Sequence, residues 1–237
     1  MRSGIWLFLA VMVTGTLCAS AMAQDMTAED WYKKSEQYYN SSSLEESVQA
    51  LDKALQIDPE NATIWQTKGR ILVFMNKNDE ANNSFQMADQ ILNKSILRDP
   101  ENINTLLSKS QVLQGMGKSD EAIETVDKAI ALDPNNIDSR VVKADILVLA
   151  GRYNESIMAY DNAIELIPAN DTKMRSEVIF GRGNSFSDAG RYSEAIEDYD
   201  QAIRLSPEFA PAWNNKGLAL RKLGAPDEAR ELPYPKG

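Results

Sequence analysis

The chain has 237 residues, with 25 Lys plus Arg against 35 Asp plus Glu, one Cys and no His, for a formal charge of -10. The lack of His removes imidazole-based triads, His-ligated metal sites and imidazole proton shuttles, and a single Cys makes no internal disulfide. The acidic balance, with no basic run, excludes nucleic acid as a partner, because that affinity rests on Lys and Arg neutralising phosphates.

In chain order the first element is an export signature. Arg2 precedes an unbroken apolar run from Ile5 to Val13, a Thr14-Gly15-Thr16 break and the small-residue site Ala21-Met22-Ala23. Residues 1–23 are therefore expected to be a signal peptide cleaved ahead of Gln24. The alternative is an uncleaved N-terminal membrane anchor, since no charge lies between Arg2 and Asp25 and about 20 residues suffice to cross a bilayer. In both cases Arg2 stays inside and the rest faces outward, so the expected location is extracytoplasmic, secreted or in the cell envelope. Cys18 follows Gly15-Thr16-Leu17, which is no lipobox, and leaves with the signal. Six Asn-x-Ser/Thr sequons, at Asn40, Asn61, Asn82, Asn93, Asn154 and Asn170, are candidate glycosylation acceptors; composition alone gives about two.

Beyond the leader the prolines set a rhythm. Asp58-Pro59, Asp99-Pro100, Asp133-Pro134, Ile167-Pro168 and Ser206-Pro207 are spaced by 41, 34, 34 and 39 residues. Aligned on them, units run over 28–61, 62–102, 103–136, 137–175 and 176–209, with a partial sixth from 210. Each unit predicts two helices, A and B. Large side chains stand four residues into helix A at Trp31, Trp65, Leu106, Ile179 and Trp213, with Arg140 breaking the series. Small residues follow at Ser35, Gly69, Ser110, Ala144, Gly183 and Gly217, and again in helix B at Ser47, Ala81, Ala122, Ser156, Ala195 and Ala229. Between them Tyr38, Leu72, Leu113, Leu147, Phe186 and Leu220 supply bulk, so that large meets small where helices interdigitate.

The helix ends repeat too. Gly117, Gly151, Gly190 and Gly224, with Asn76 as substitute, mark left-handed turns between A and B. Asp79, Asp120, Asn154, Ser193 and Asp227 are expected to cap helix B. The Glu that follows each, with Glu46 in the first unit, places an anion at the positive end of the helix dipole. The seven-residue excess in the second unit, within Phe85 to Arg98, is about two helical turns and predicts one long helix B. Five extra residues from Ala169 to Lys173 are polar and predict a lengthened loop, and Pro233 and Pro235 stop the last helix B after about one turn.

A 34-residue helix-turn-helix period with these residues resembles the tetratricopeptide repeat over nearly all of residues 28–237. The resemblance implies an all-α fold, an α-solenoid forming a right-handed superhelix, whose concave face is lined by helices A and binds peptides or partner segments. Carried onto this chain, the groove positions are Tyr32, Glu36, Gln66, Arg70, Phe74, Leu107, Gln111, Val141, Asp145, Phe180 and Asn184, with Val148, Asp188, Arg221 and Lys222 beside them. Glu36, Gln111 and Asp145 stand where chaperone-docking members carry cations, which removes a carboxylate clamp. The expected ligand is a protein or peptide segment with apolar anchors and some positive charge.

Paired carboxylates such as Asp138 with Asp145 or Glu194 with Glu197 lack an identifiable partner base or nucleophile, and no phosphate loop is present: Gly181-Arg182-Gly183 and Gly115-Met116-Gly117 lack the strand-to-helix context. Asp133 to Asp138 lacks the spacing of a calcium loop. No enzyme activity, cofactor or metal is expected. The rival expectation is a structural, self-assembling envelope protein that uses its open repeat ends, with self-association through the unfinished C-terminal unit.

Overall fold

The computed structural model describes residues 26–232; the leader and the prolines at 233 and 235 lie outside the described residues. Among these residues there are twelve helices and no strand. The six A helices are α1 (Ala28–Asn40), α3 (Ala62–Phe74), α5 (Ile103–Gly115), α7 (Ile137–Leu149), α9 (Thr172–Asp188) and α11 (Ala210–Leu223). The B helices are α2 (Leu44–Ile57), α4 (Asn78–Arg98), α6 (Ser119–Leu132), α8 (Tyr153–Leu166), α10 (Tyr192–Leu205) and α12 (Pro226–Arg230). The chain divides into two compact units at Pro59 and Glu60, the first holding α1 and α2, the second holding α3 to α12. In the second unit each helix packs on its chain neighbours, and successive A helices also touch.

The turn from A to B is the same device throughout. Asn76, Gly117, Gly151 and Gly190 have φ near +58 to +77°, and Ser42, at φ 61°, takes this part in the first repeat. The residue after each closes helix A by donating its amide five residues back, as Lys77 does to Leu72, Lys118 to Leu113, Arg152 to Leu147 and Arg191 to Phe186. That same residue is the first boundary residue of helix B. The expected caps are therefore displaced: Asp79, Asp120, Asn154 and Ser193 lie inside the first turn, and no side-chain cap bond is made at the start of any helix B. So tight a turn leaves no separate residue for capping. The acids act on the helix dipole instead, and Glu121, Glu155 and Glu194 pair with the basic residue three positions earlier. Side-chain caps stand on helices A, at Thr27, Asn61, Asn102, Asn136 and Asp171.

Helix α4 is continuous over 21 residues. Its buried face runs through Phe85, Ala88 and Leu92 to Ile96, while Leu97, one position off that stripe, is 86% exposed. Of the five residues from Ala169 to Lys173, expected as a lengthened loop, the first three are loop and Thr172 and Lys173 open the helix: α9 has 17 residues against 13 in α7, and residues 167–171 separate it from α8. Asp171 caps that added turn by accepting from the Met174 amide at 3.0 Å. Arg140, which breaks the aromatic series, donates to the Pro134 carbonyl from Nε and Nη2. Trp213 Nε1 makes the equivalent bond to the Pro207 carbonyl, at 2.8 Å. Both side chains are donors six residues beyond their proline.

The small positions are buried as the pattern requires, Ser35, Ser47, Ser110, Ala122, Ala144, Ser156 and Ala195 each being at most 1% exposed. Buried hydroxyls are satisfied, Ser35 and Ser47 by each other at 3.0 Å and Ser156 by Ser185 at 2.9 Å. One position of helix B sends a large ring against the A helices. A Cβ on Gly69 would stand 2.7 Å from the Phe85 ring, and one on Gly115 2.6 Å from it. Phe85 of α4 therefore lies between the backbones of α3 and α5. Tyr160 approaches Gly181 of α9 in the same way, and Tyr199 approaches Gly183.

Ion pairs join each repeat of the second unit to the next. Lys109 of α5 reaches Asp89 of α4, Lys143 of α7 reaches Asp127 of α6, Arg182 of α9 reaches Asp161 of α8 and Lys216 of α11 reaches Asp200 of α10. Arg182 also grips the buried Asp198 of α10 with Nε at 2.8 Å and Nη2 at 2.6 Å. Burial pushes the Asp198 carboxyl up, and the bidentate Arg182 pulls it down.

Two outcomes are expected. Gly115→Ala overpacks the Phe85 slot and costs about 1–3 kcal/mol in urea unfolding, partly recovered by Phe85→Leu in the same chain. Arg182→Met leaves Asp198 buried without its countercharge and costs about 3–5 kcal/mol near neutral pH. That second loss shrinks on acidification, as Asp198 takes up a proton in the folded variant, and unfolding curves at pH 4 and pH 7 compare the two.

Candidate functional site

In the second unit a groove lies over α7, α9 and α11. A cavity of about 600 Å³ is bounded by Asp145, Val148 and Leu149 of α7, by Asn184, Ser187 and Asp188 of α9, and by Asn215 and Leu218 of α11. A second cavity of about 380 Å³ continues it toward Asp138, Val141, Met174, Glu177 and Phe180. Asp145, Tyr160, Gly181 and Asn184 border both.

The floor comes from helices B. Tyr160 of α8 and Tyr199 of α10 are 4% and 1% exposed, yet each hydroxyl reaches the groove. Tyr160 donates to Asp145 Oδ1. Tyr199 donates to Asn184 Oδ1 at 2.9 Å, and that oxygen also accepts from Asn215 Nδ2 at 2.8 Å. Gly181 makes the first arrangement possible, since a Cβ there would stand 2.8 Å from the Tyr160 hydroxyl. Burial pushes Tyr160 well above the usual phenol range, and the neighbouring Asp145 charge adds to it. Burial likewise pushes Tyr199 up to about 12. Asp145 is open to water on its groove side, but the walls around it remove enough solvent to raise its carboxyl, against the lowering effect of the Tyr160 bond.

Along this stretch the lining holds four carboxylates, Asp138, Asp145, Glu177 and Asp188, and no Lys or Arg. Apolar surface alternates with them at Val141, Val148, Leu149, Phe180 and Leu218. Leu149 is 71% exposed and Leu218 50%, so both offer apolar area to a ligand. Phe180 leans on Tyr199 and Phe209, with centroids 5.7 and 5.0 Å away, which fixes its ring in the wall.

The residues expected to line the groove fall into several environments. Asp145, Asn184, Phe180 and Val141 come together here. Gln66 is 9% exposed and donates to Gln111 Oε1 at 3.0 Å, tying α3 to α5. Leu107 is 9% exposed and belongs to the core cluster, so packing rather than ligand contact accounts for it. Arg70 and Phe74 are exposed on α3, Phe74 at 63%. Tyr32, half-buried, and Glu36, exposed, belong to α1 in the first unit. Of the sequon residues, Asn40, Asn82, Asn154 and Asn170 are exposed. Asn61 serves as a helix cap, and Asn93, though exposed, is held between Asp89 and Lys109. Glu194 pairs with Arg191 and not with Glu197. Among the described residues no cluster of three or more acidic, Cys or His side chains is placed to hold a metal, and no helix is long and apolar enough to cross a membrane. Sequence reasoning does not single out Tyr160 and Tyr199. The available signal is a phenol where other helices B carry Leu51, Phe85 or Val126, because a buried hydroxyl needs a partner.

Three family models match, described as tetratricopeptide repeat over residues 28–61 and 107–171 and as TPR repeat over 183–224. Between them they cover more than half of the chain. The chain belongs to the tetratricopeptide-repeat family. Solved structures agree on the fold. MamA is 26% identical over 63% of this chain and 84% of its own, with a TM-score of 0.53. TTC0263, a thermophilic TPR protein of Thermus thermophilus, is 14% identical, covering 82% of this chain and 99% of its own at a TM-score of 0.58. PilW, described as a widely conserved type IV pilus biogenesis factor, is 17% identical, covering 86% and 89% at a TM-score of 0.56. No curated protein sequence matches.

The tetratricopeptide groove of this chain has a stability signature in alkali. Tyr199 ionises at about pH 10 when unfolded and at about 12 when folded, so its contribution is complete below pH 10 and is lost as pH rises toward 12. Tyr160→Phe with Tyr199→Phe is expected to flatten the fall in unfolding free energy between pH 9 and pH 12, measured by urea titration followed by circular dichroism.

Proposed function

We propose that this chain is a non-catalytic protein-interaction scaffold that holds an extended, positively charged segment with apolar anchors in the groove over α7, α9 and α11. The observation that carries the reading is the lining itself: four carboxylates, no Lys or Arg, and exposed apolar surface at Leu149 and Leu218 between them. A cationic side chain entering here meets Asp145 and Asp188 across a floor of fixed dipoles from Tyr160, Asn184 and Asn215. Complementary charge sets partner choice and encounter rate, and Val148, Leu149 and Phe180 supply the apolar area that holds. The export signature at residues 1–23 supports a place outside the cytoplasm for this binding. Fractionation of cells expressing the tagged chain tests the location separately.

Labelled peptides with one aromatic anchor and zero, two or four Arg, read by fluorescence anisotropy, test the groove. Affinity is expected to rise with peptide charge and to fall with added salt. Asp145→Asn with Asp188→Asn is expected to weaken the most basic peptide about tenfold while leaving helicity unchanged. The same loss appears as pH falls through the raised Asp145 titration. Equal binding of an acidic and a basic peptide would sink the reading.

A further inference from the structure

A second surface lies on the first helix and has the opposite charge. Every unit carries a cation at its seventh position: Lys34, Lys68, Lys109, Lys143, Arg182 and Lys216. In α5, α7, α9 and α11 this cation reaches an aspartate of the helix B before it, so the pair is the rung that joins one repeat to the next. The aspartate side of the rung has a short signature. Asp127-Lys128-Ala129, Asp161-Asn162-Ala163 and Asp200-Gln201-Ala202 place the acid two residues before an alanine that is 0% exposed. The alanine lets the helices close up, and the acid meets the cation of the next repeat. In α4 the alanine, Ala88, is kept and the acid moves next to it, to Asp89.

Lys34 has the cation's position without the rung. The Lys34 ammonium rests over the rings of Trp31 and Tyr38, 5.1 and 5.9 Å from their centroids, and the Lys53 ammonium of α2 lies 4.2 Å from the Trp31 centroid. Two cations thus share one aromatic ring, and among the described residues neither has a carboxylate partner. Trp31, Lys34 and Tyr38 are half-buried on α1.

We propose that this face of α1 is a docking surface for a helix of a different protein that presents an Asp-x-Ala rung, the acid to Lys34 and the alanine against Trp31. Charge selects the occupant: the face offers two ammonium groups and two aromatic rings, and the partner must supply the carboxylate that the rungs of α5, α7, α9 and α11 have. A second copy of this chain is a poor candidate, because the rung aspartates of α4, α6, α8 and α10 are already engaged by their own repeats. The surface does not depend on the acidic groove, and either can fail without the other.

The test uses a helix-stapled peptide of residues 119–136, which carries Asp127-Lys128-Ala129, titrated calorimetrically into the purified chain. Saturable binding is expected, weakened about tenfold by Lys34→Gln in the protein or by Asp127→Asn in the peptide, with the two changes together costing no more than one. Lys34→Asp with Asp127→Lys in the peptide restores it. Thermal unfolding of the Lys34 variants checks that the repeat itself is intact. Binding that ignores Lys34, or no binding at about 1 mM peptide, overturns the proposal. Self-association of the free chain that Lys34→Gln abolishes, seen by sedimentation, assigns the face to a second copy and overturns the assignment to a different protein.

Discussion

The second unit depends on how closely a ring of one helix B can approach the backbones of the A helices. Phe85 fits between α3 and α5 only because Gly69 and Gly115 leave room on both sides. Tetratricopeptide helices are short, and 13 or 14 residues of modest amphipathicity do not hold a helix in water. Neighbours must therefore bury each other, and the tolerance at each crossing is about one methyl group. The apolar area that results is continuous from α5 to α11. A chain with no disulfide relies on that continuity.

Functional chemistry grows from the same contact. The ring that fills the slot between Gly69 and Gly115 is Phe85, and the equivalent residue of α8 and α10 is tyrosine. Each phenol keeps the packing role, and its hydroxyl emerges among the A helices, where it orients Asp145 or Asn184. The groove's polar floor is thus a modification of the core. The ion-pair rungs lie elsewhere on the A helices and add register: Lys143 and Lys216 reach carboxylates 2.6 Å away on the preceding helix B. Exposed pairs of this type contribute about 0–1 kcal/mol each. Their larger effect is to make a repeat slipped out of register leave a half-buried cation unmatched.

Much of this is legible in the sequence. The proline spacing marks the units, the glycines and Asn76 mark the turns, and the seven-residue excess in α4 keeps its stripe because it is close to two turns. The displaced caps are not legible, since a turn in which Lys77 both ends α3 and begins α4 looks in sequence like a turn with room for a cap. The extra turn of α9 escapes sequence reasoning because Asn170, Asp171 and Thr172 have loop chemistry, and an aspartate that caps a helix has the same composition as one in a loop. In the groove, family positions point to Asp145 and Asn184, but Leu107 is also a family groove position and is core. Periodicity gives the face of a helix, whereas depth depends on how its neighbours tilt.

The exchange of tryptophan for Arg140 at a shared hydrogen-bonding position has an optical consequence. Beyond the leader, the tryptophans are Trp31, Trp65 and Trp213, in repeats one, two and six, with none in repeats three to five. Intrinsic fluorescence therefore watches the ends of the array, while circular dichroism averages over every helix. Quasi-one-dimensional folds can melt from their termini. In this chain that fraying has its own colour, separable from loss of the middle without introducing a label.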